Sequence, residues 1–168
     1  GLGQVQDVPI VLVDLDVTKR ALSRRLGLGR RRGIIDVAVG RASLDEVRVP
    51  VPRRRLPKSV RRLVGRGAEL QRYTVVPVGG RDVLRDRSAV LDEAAISAAV
   101  SSLAASSLVV VNLPAVPGPL PVREILLLCD AVLLTVLDGW SETDQALTSI
   151  DAVDAVVPRR VGYVLVDQ

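Results

Sequence analysis

Apolar residues gather in five short runs, 8–13, 74–78, 108–113, 131–137 and 161–166, each rich in Val. Continuous runs of this length read as strands covered on both faces, because a half-exposed strand would alternate apolar with polar positions. Helical spacing fills the gaps between them. It is clearest over 141–157, where Ala146, Ile150, Val153 and Val157 recur on one face and Ser141 with Asp144 has the spacing of a capping box. A second helix is predicted over 86–105, carrying Val90, Leu91, Ala94 and Ala98, and a third over 18–26, directly after the first strand. Strands alternating with helices predict crossover connections, hence a mainly parallel sheet with helices on both faces. The expected fold is α/β, three-layer and doubly wound, Rossmann-like.

The region 49–72 fits that pattern poorly. Pro50, Pro52 and Pro57 interrupt it, and only 56–65 has weak helical character, so it is expected to be a basic Pro/Arg-rich surface excursion. Charge sharpens the picture: the formal net charge is only +4, yet the cations crowd into 19–32 and 48–72. The second stretch holds Arg53, Arg54, Arg55, Lys58, Arg61, Arg62, Arg66 and Arg72 against Glu69 alone, enough to attract phosphates or an anionic membrane surface. Nucleic acid is the weaker partner in this reading, and a plain solvated face is the alternative to both.

Composition bounds the rest. The 168 residues suit one domain, 1–168, and 48% apolar with 25% charged residues is the profile of a folded globule. With no Phe, one Trp and two Tyr, the core rests on Val, Leu, Ile and Ala. The absence of Met leads us to expect that upstream sequence is missing. The longest apolar stretch, 125–137, is broken by Asp130 and is shorter than the roughly 20 residues needed to span a bilayer. Cys129 within it is expected to act as a small hydrophobe. Without His and with a single Cys, His-based acid/base catalysis and His- or Cys-ligated zinc are excluded.

The candidate chemistry lies at strand ends, because ligands of open parallel sheets bind beyond the carboxyl edge. The first run ends VLVDLDVTK, placing Asp14 and Asp16 at i and i+2, with Lys19 opening the next helix. Two acids on one side repel unless a cation or proton lies between them, and hydrated magnesium is the natural cation. The alternative is that Asp14 or Asp16 caps the helix, and spacing leaves both readings open. The third run ends VVVNLPAV, setting Asn112 at the corresponding edge with Pro114 just beyond. Nucleotide hydrolases usually carry an Asp there to orient metal-bound water. No G-x-x-x-x-G-K-[ST] loop is present, and Gly27 and Gly29 of GLGRRRG read as helix-ending and turn residues.

In order along the chain, VLVDLDVTKRALSRRLGL, GIIDVAVGRASLDEV, YTVVPVGG, LVVVNLPAV, CDAVLLTVLDGWSETDQAL and VGYVLVDQ resemble the cytoplasmic domain of the bacterial tyrosine kinases (BY-kinases) of exopolysaccharide and capsule synthesis. The resemblance implies a P-loop NTPase-like fold, ATP and Mg2+ as cofactors, and phosphoryl transfer to a Tyr cluster. It also implies a membrane protein governing polysaccharide chain length as partner, a place at the inner face of the cell membrane, and in some members a homo-oligomer. By this kinship Asp14 and Asp16 are the D-x-D of the Walker A′ strand, the catalytic and metal-binding acids. Asn112 and Pro114 fall on the Walker B end, and Lys19 on the nucleotide side. The departures are Asn112 for the usual Asp, Thr18 for the usual Arg, no P-loop, and Tyr73 and Tyr163 in predicted strands. The expected function is accordingly a catalytically impaired, regulatory or scaffolding domain. The alternatives are a fragment of an active autokinase, or a partitioning or division-site type ATPase relative.

Overall fold

A computed structural model describes residues 8–63, 71–80, 92–114, 122–137, 143–157 and 161–166. The chain divides into two compact units, Gly1–Pro114 and Ala115–Gln168. In the first, four strands form one sheet in the order β2-β3-β1-β4. Strand β1 (Ile10–Asp14) lies in the middle, parallel to β3 (Tyr73–Val76) on one side and β4 (Leu108–Asn112) on the other. Its β-branched side chains suit that central place: Val11 and Val13 are fully buried. Strand β3 stops at Val76, before the expected end at 78, because Pro77 has no amide hydrogen to continue the ladder.

A fourth strand was not expected. β2 (Val49–Pro50) pairs antiparallel with β3, Val49 opposite Val75, inside the stretch read from sequence as irregular. Pro50 is tolerable there because β2 is an edge strand. The excursion is therefore anchored: Val49, Val51, Leu26, Leu28 and Val75 form a buried cluster onto which Leu12, Leu22, Leu56 and Tyr73 pack. Helix α4 (Lys58–Leu63) follows Pro57 and so starts after the 56 predicted, while 64 and 65 lie outside the described residues.

The helix expected over 18–26 contracts to α1 (Ala21–Arg25), since Thr18 and Lys19 are held in a turn and Arg20 is left-handed, with φ 52°. Gly27, with φ 74°, ends it, and Gly29 lies in the turn that the Arg31 amide closes on the Leu28 carbonyl, both as expected. Helices α2 (Ile34–Ala38) and α3 (Leu44–Val47) were missed, each being about a single turn. Helix α5 (Glu93–Ala104) is capped by Asp92, whose carboxylate accepts from the amides of Ala94 and Ala95, and buries Ile96, Ala99, Val100 and Leu103 at helical spacing. The predicted portion over 86–91 lies outside the described residues.

The second unit contains α6 (Val122–Leu128), β5 (Val132–Leu137), α7 (Thr143–Asp154) and β6 (Val161–Val166), with β5 and β6 parallel and paired from Val132 with Val161 to Leu137 with Val166. The predicted helix over 141–157 ends early, at Asp154, and keeps Val153 buried. Ser141 lies outside the described residues, and so does the side chain of Asp144. The α/β class and the mostly parallel pairing agree with the sequence expectation.

Candidate functional site

Parallel register puts Asp14 opposite Asn112 at the carboxyl ends of β1 and β4. Both side chains turn to the same place: Asn112 Nδ2 donates to Asp14 Oδ1 at 2.9 Å. The amide of Asp16 donates to that oxygen at 3.3 Å, while Oδ2 accepts from the Ser23 amide at 2.9 Å and its hydroxyl at 2.6 Å. Asp14 is fully buried, and its four donors match the roughly four lone-pair sites of a carboxylate. A direct bond from Asp14 to a metal would displace one of them.

Asp16 is arranged differently. Its Oδ1 accepts from the Thr18 amide at 3.2 Å, the Thr18 hydroxyl and the Lys19 amide at 3.0 Å, so this acid closes the turn that leads to α1. Asp16 Oδ2 takes no hydrogen bond from the described residues, and the residue is 7% exposed. The helix-capping alternative thus describes Asp16 in part, since it caps a turn ahead of α1. Asp14 instead reaches into α1 at Ser23. Lys19 is exposed, and Pro114 is buried at the end of the β4 edge.

Ser23 extends the network, and sequence reading missed it. Its hydroxyl, 1% exposed with the rest of the residue, also accepts from the Val78 amide at 3.1 Å, joining the end of β1 to the loop after β3. That loop is bound to α2: Ile34 donates to the Pro77 carbonyl and Ile35 to that of Val78. Buried Asp36 then accepts from Gly33 at 2.9 Å and Gly80 at 2.7 Å through Oδ2. Gly33, Gly79 and Gly80 permit the approach. A β-carbon on Gly33 would overlap the Pro77 carbonyl, and one on Gly79 would overlap Gly33 and Asp36. A chain of polar contacts therefore runs Asn112, Asp14, Ser23, Val78, Ile35 across three strand ends. The Gly-Gly pair after a strand was the available signal.

For magnesium, the described residues offer the open oxygen of Asp16 and the amide oxygen of Asn112. Among them no group of three or more His, Cys, Asp or Glu could hold a metal ion. Mg2+ prefers near-octahedral oxygen ligation and takes carboxylates together with substrate phosphates. The donor set is too sparse to retain the ion on its own.

No protein-family model matches the sequence, and no curated protein matches it. Solved structures do match in fold. The MinC:MinD cell division protein complex of Aquifex aeolicus superposes with TM-score 0.67 at 18% identity, covering 95% of this chain and 56% of that one. The chimerical protein CapA2B2 gives 0.68 at 13%, covering 98% and 64%. The kinase domain of the Escherichia coli tyrosine kinase ETK gives 0.59 at 14%, covering 96% and 56%. The chain shares the α/β fold of these structures. It spans 56–64% of the length of these neighbours.

Proposed function

We propose that this chain is a tyrosine-kinase-like domain of exopolysaccharide assembly whose phosphoryl-transfer edge is sealed by hydrogen bonds, leaving a regulatory or scaffolding part. The observation that carries this reading is the 2.9 Å contact from Asn112 to Asp14. With Asp in that place, two carboxylates would stand at hydrogen-bond distance and would require a cation or a shared proton between them. The amide meets the need internally. Phosphoryl transfer relies almost entirely on positioning and on neutralising phosphate charge, and an edge whose carboxylate is already satisfied by internal donors supplies little of either. In this reading Asp16, through Oδ2, is the residue left to meet a nucleotide-bound cation, with Lys19 exposed nearby in sequence. A membrane protein controlling polysaccharide chain length is the proposed partner, as the motif order implies.

The test is direct. Incubated with magnesium-ATP and a tyrosine peptide, the purified chain should transfer no phosphate and hydrolyse no ATP above the buffer rate. Micromolar magnesium-ATP affinity by calorimetry together with autophosphorylation would overturn the reading. The fold match to MinD supports a second reading, a division-site type ATPase relative. Steady ATP hydrolysis without transfer to tyrosine would select it.

A further inference from the structure

Residues 17–32 and 48–63 each carry seven Lys or Arg and no Asp or Glu. Though distant in sequence, the two segments meet around one apolar cluster: Leu22, Leu26 and Leu28 of the first pack with Val49, Val51 and Leu56 of the second. They also touch at the surface. The Arg55 guanidinium lies against Gly27, 3.4 Å from Nε to where a β-carbon would stand, and Gly27 directly follows Arg24, Arg25 and Leu26. With the apolar side chains turned inward, Arg24, Arg25, Arg54, Arg55, Lys58 and Arg62 are all exposed. Among the described residues, none of these six is ion-paired with a carboxylate.

We infer that the two segments form one composite cationic face that binds an anionic lipid surface. This does not rest on the kinase-like reading, because neither the strand-end carboxylates nor a nucleotide takes part. Lipid is favoured over nucleic acid by what the face lacks. Its cations sit on a five-residue helix, a three-residue 3-10 turn over Arg53–Arg55 and a six-residue helix, none of a length to lie along a major groove. Neither segment contains an aromatic residue on which a base could stack. A charged bilayer demands only clustered cations within a Debye length of its plane, and guanidinium forks suit phosphodiester headgroups.

Co-sedimentation of the 168-residue chain with phosphatidylcholine vesicles, with and without about one-third phosphatidylglycerol, tests the inference. Binding should require the anionic lipid and fade as salt rises. R24Q/R25Q and R54Q/R55Q should each weaken partitioning on the order of thirtyfold, from the usual contribution of a cation at an anionic surface. R123Q, a change in the other unit, should leave it unaltered. Melting temperatures equal to that of the unchanged chain would show that the variants fold. Should they not, the salt series on the unchanged chain still decides. No binding at low salt, equal binding to neutral vesicles, or an effect confined to one of the two pairs would overturn the composite face. Tighter binding to duplex DNA than to vesicles of equal phosphate concentration would overturn the lipid assignment.

Discussion

Asn112 decides how the edge of the sheet is held together. Its amide donates to a fully buried carboxylate, and a buried charge that loses a hydrogen-bonding partner is left expensively unpaired. Asn112→Asp replaces that donor with a second negative charge at nearly the same position. It should cost about 2–3 kcal/mol and lower the melting temperature in EDTA by roughly 5–10 °C. Millimolar Mg2+ should then restore part of the loss in the variant and leave the unchanged chain unaffected. Scanning calorimetry of both proteins, with and without the metal, checks this, and a variant as stable as its parent in EDTA would deny the contact any structural weight.

Cys129 presents the opposite situation, a group silenced by its surroundings. Burial pushes its thiol above the ordinary value, and the neighbouring Asp130 charge adds to the effect. Thiolate is the reactive form, so at neutral pH Cys129 should react with iodoacetamide more slowly than cysteine in a free peptide. The rate should keep climbing past the pH at which the peptide levels off. A pH series of labelling followed by mass spectrometry distinguishes this from a thiol that behaves normally.

At the scale of elements, short pieces depend on close approach and on caps. Helix α2 is docked on the loop after β3 through Gly33, Gly79 and Gly80, so the space a side chain would need is already filled. Gly79→Ala should cost about 3 kcal/mol, from overlap with Gly33 and Asp36 added to the strain of a left-handed alanine. Gly40→Ala is the control, because Gly40 is also left-handed but has nothing within 4 Å of its would-be β-carbon. It should cost only about 1 kcal/mol. Urea denaturation of the pair measures the difference, and equal losses would mean that the packing around Gly79 is loose. On α5, Asp92→Ala removes the carboxylate that accepts from Ala94 and Ala95 and should cost about 1 kcal/mol by the same measurement. Helix α3 is fastened by Ser43 and Glu46 in a capping box, and the Ser43 amide and hydroxyl hold the Glu46 carboxyl below its usual value. The box is therefore whole at neutral pH and opens as acid protonates Glu46.

What could be read in advance follows from the length of each signal. The Val-rich strands declared themselves because each run is self-consistent, and the pairing of Asp14 with Asn112 followed from placing both at strand ends on one edge. Ser23 and Asp36 did not declare themselves, since a lone Ser or Asp in a helix looks the same whether it faces solvent or binds a distant loop. The α2 and α3 turns are too short for periodicity, and Pro50 disguised an edge strand as a break. The two Arg-rich segments were visible separately, but that they share one apolar cluster depends on tertiary packing no local pattern carries.

For the whole molecule, we propose that the two units unfold as one cooperative fold, from the single-domain length and the coverage of nearly all the chain by each solved neighbour. The first unit has its own four-stranded sheet with a core through Val11, Val13, Val75, Val76 and Ile96. In the second, Ala115–Gln168, the described residues form a sheet of two strands and expose Leu127, Leu133 and Leu147. A sheet that small is marginal by itself, and a segment of its length buries too little apolar surface to offset chain entropy easily. The 115–168 fragment alone should therefore be largely unfolded by circular dichroism. The full chain should melt in one transition, with β5 and β6 amides exchanging at a rate set by the same global opening as those of β1. Two separate transitions, or a folded fragment, would make the units independent domains and would require the second to be stabilised from within.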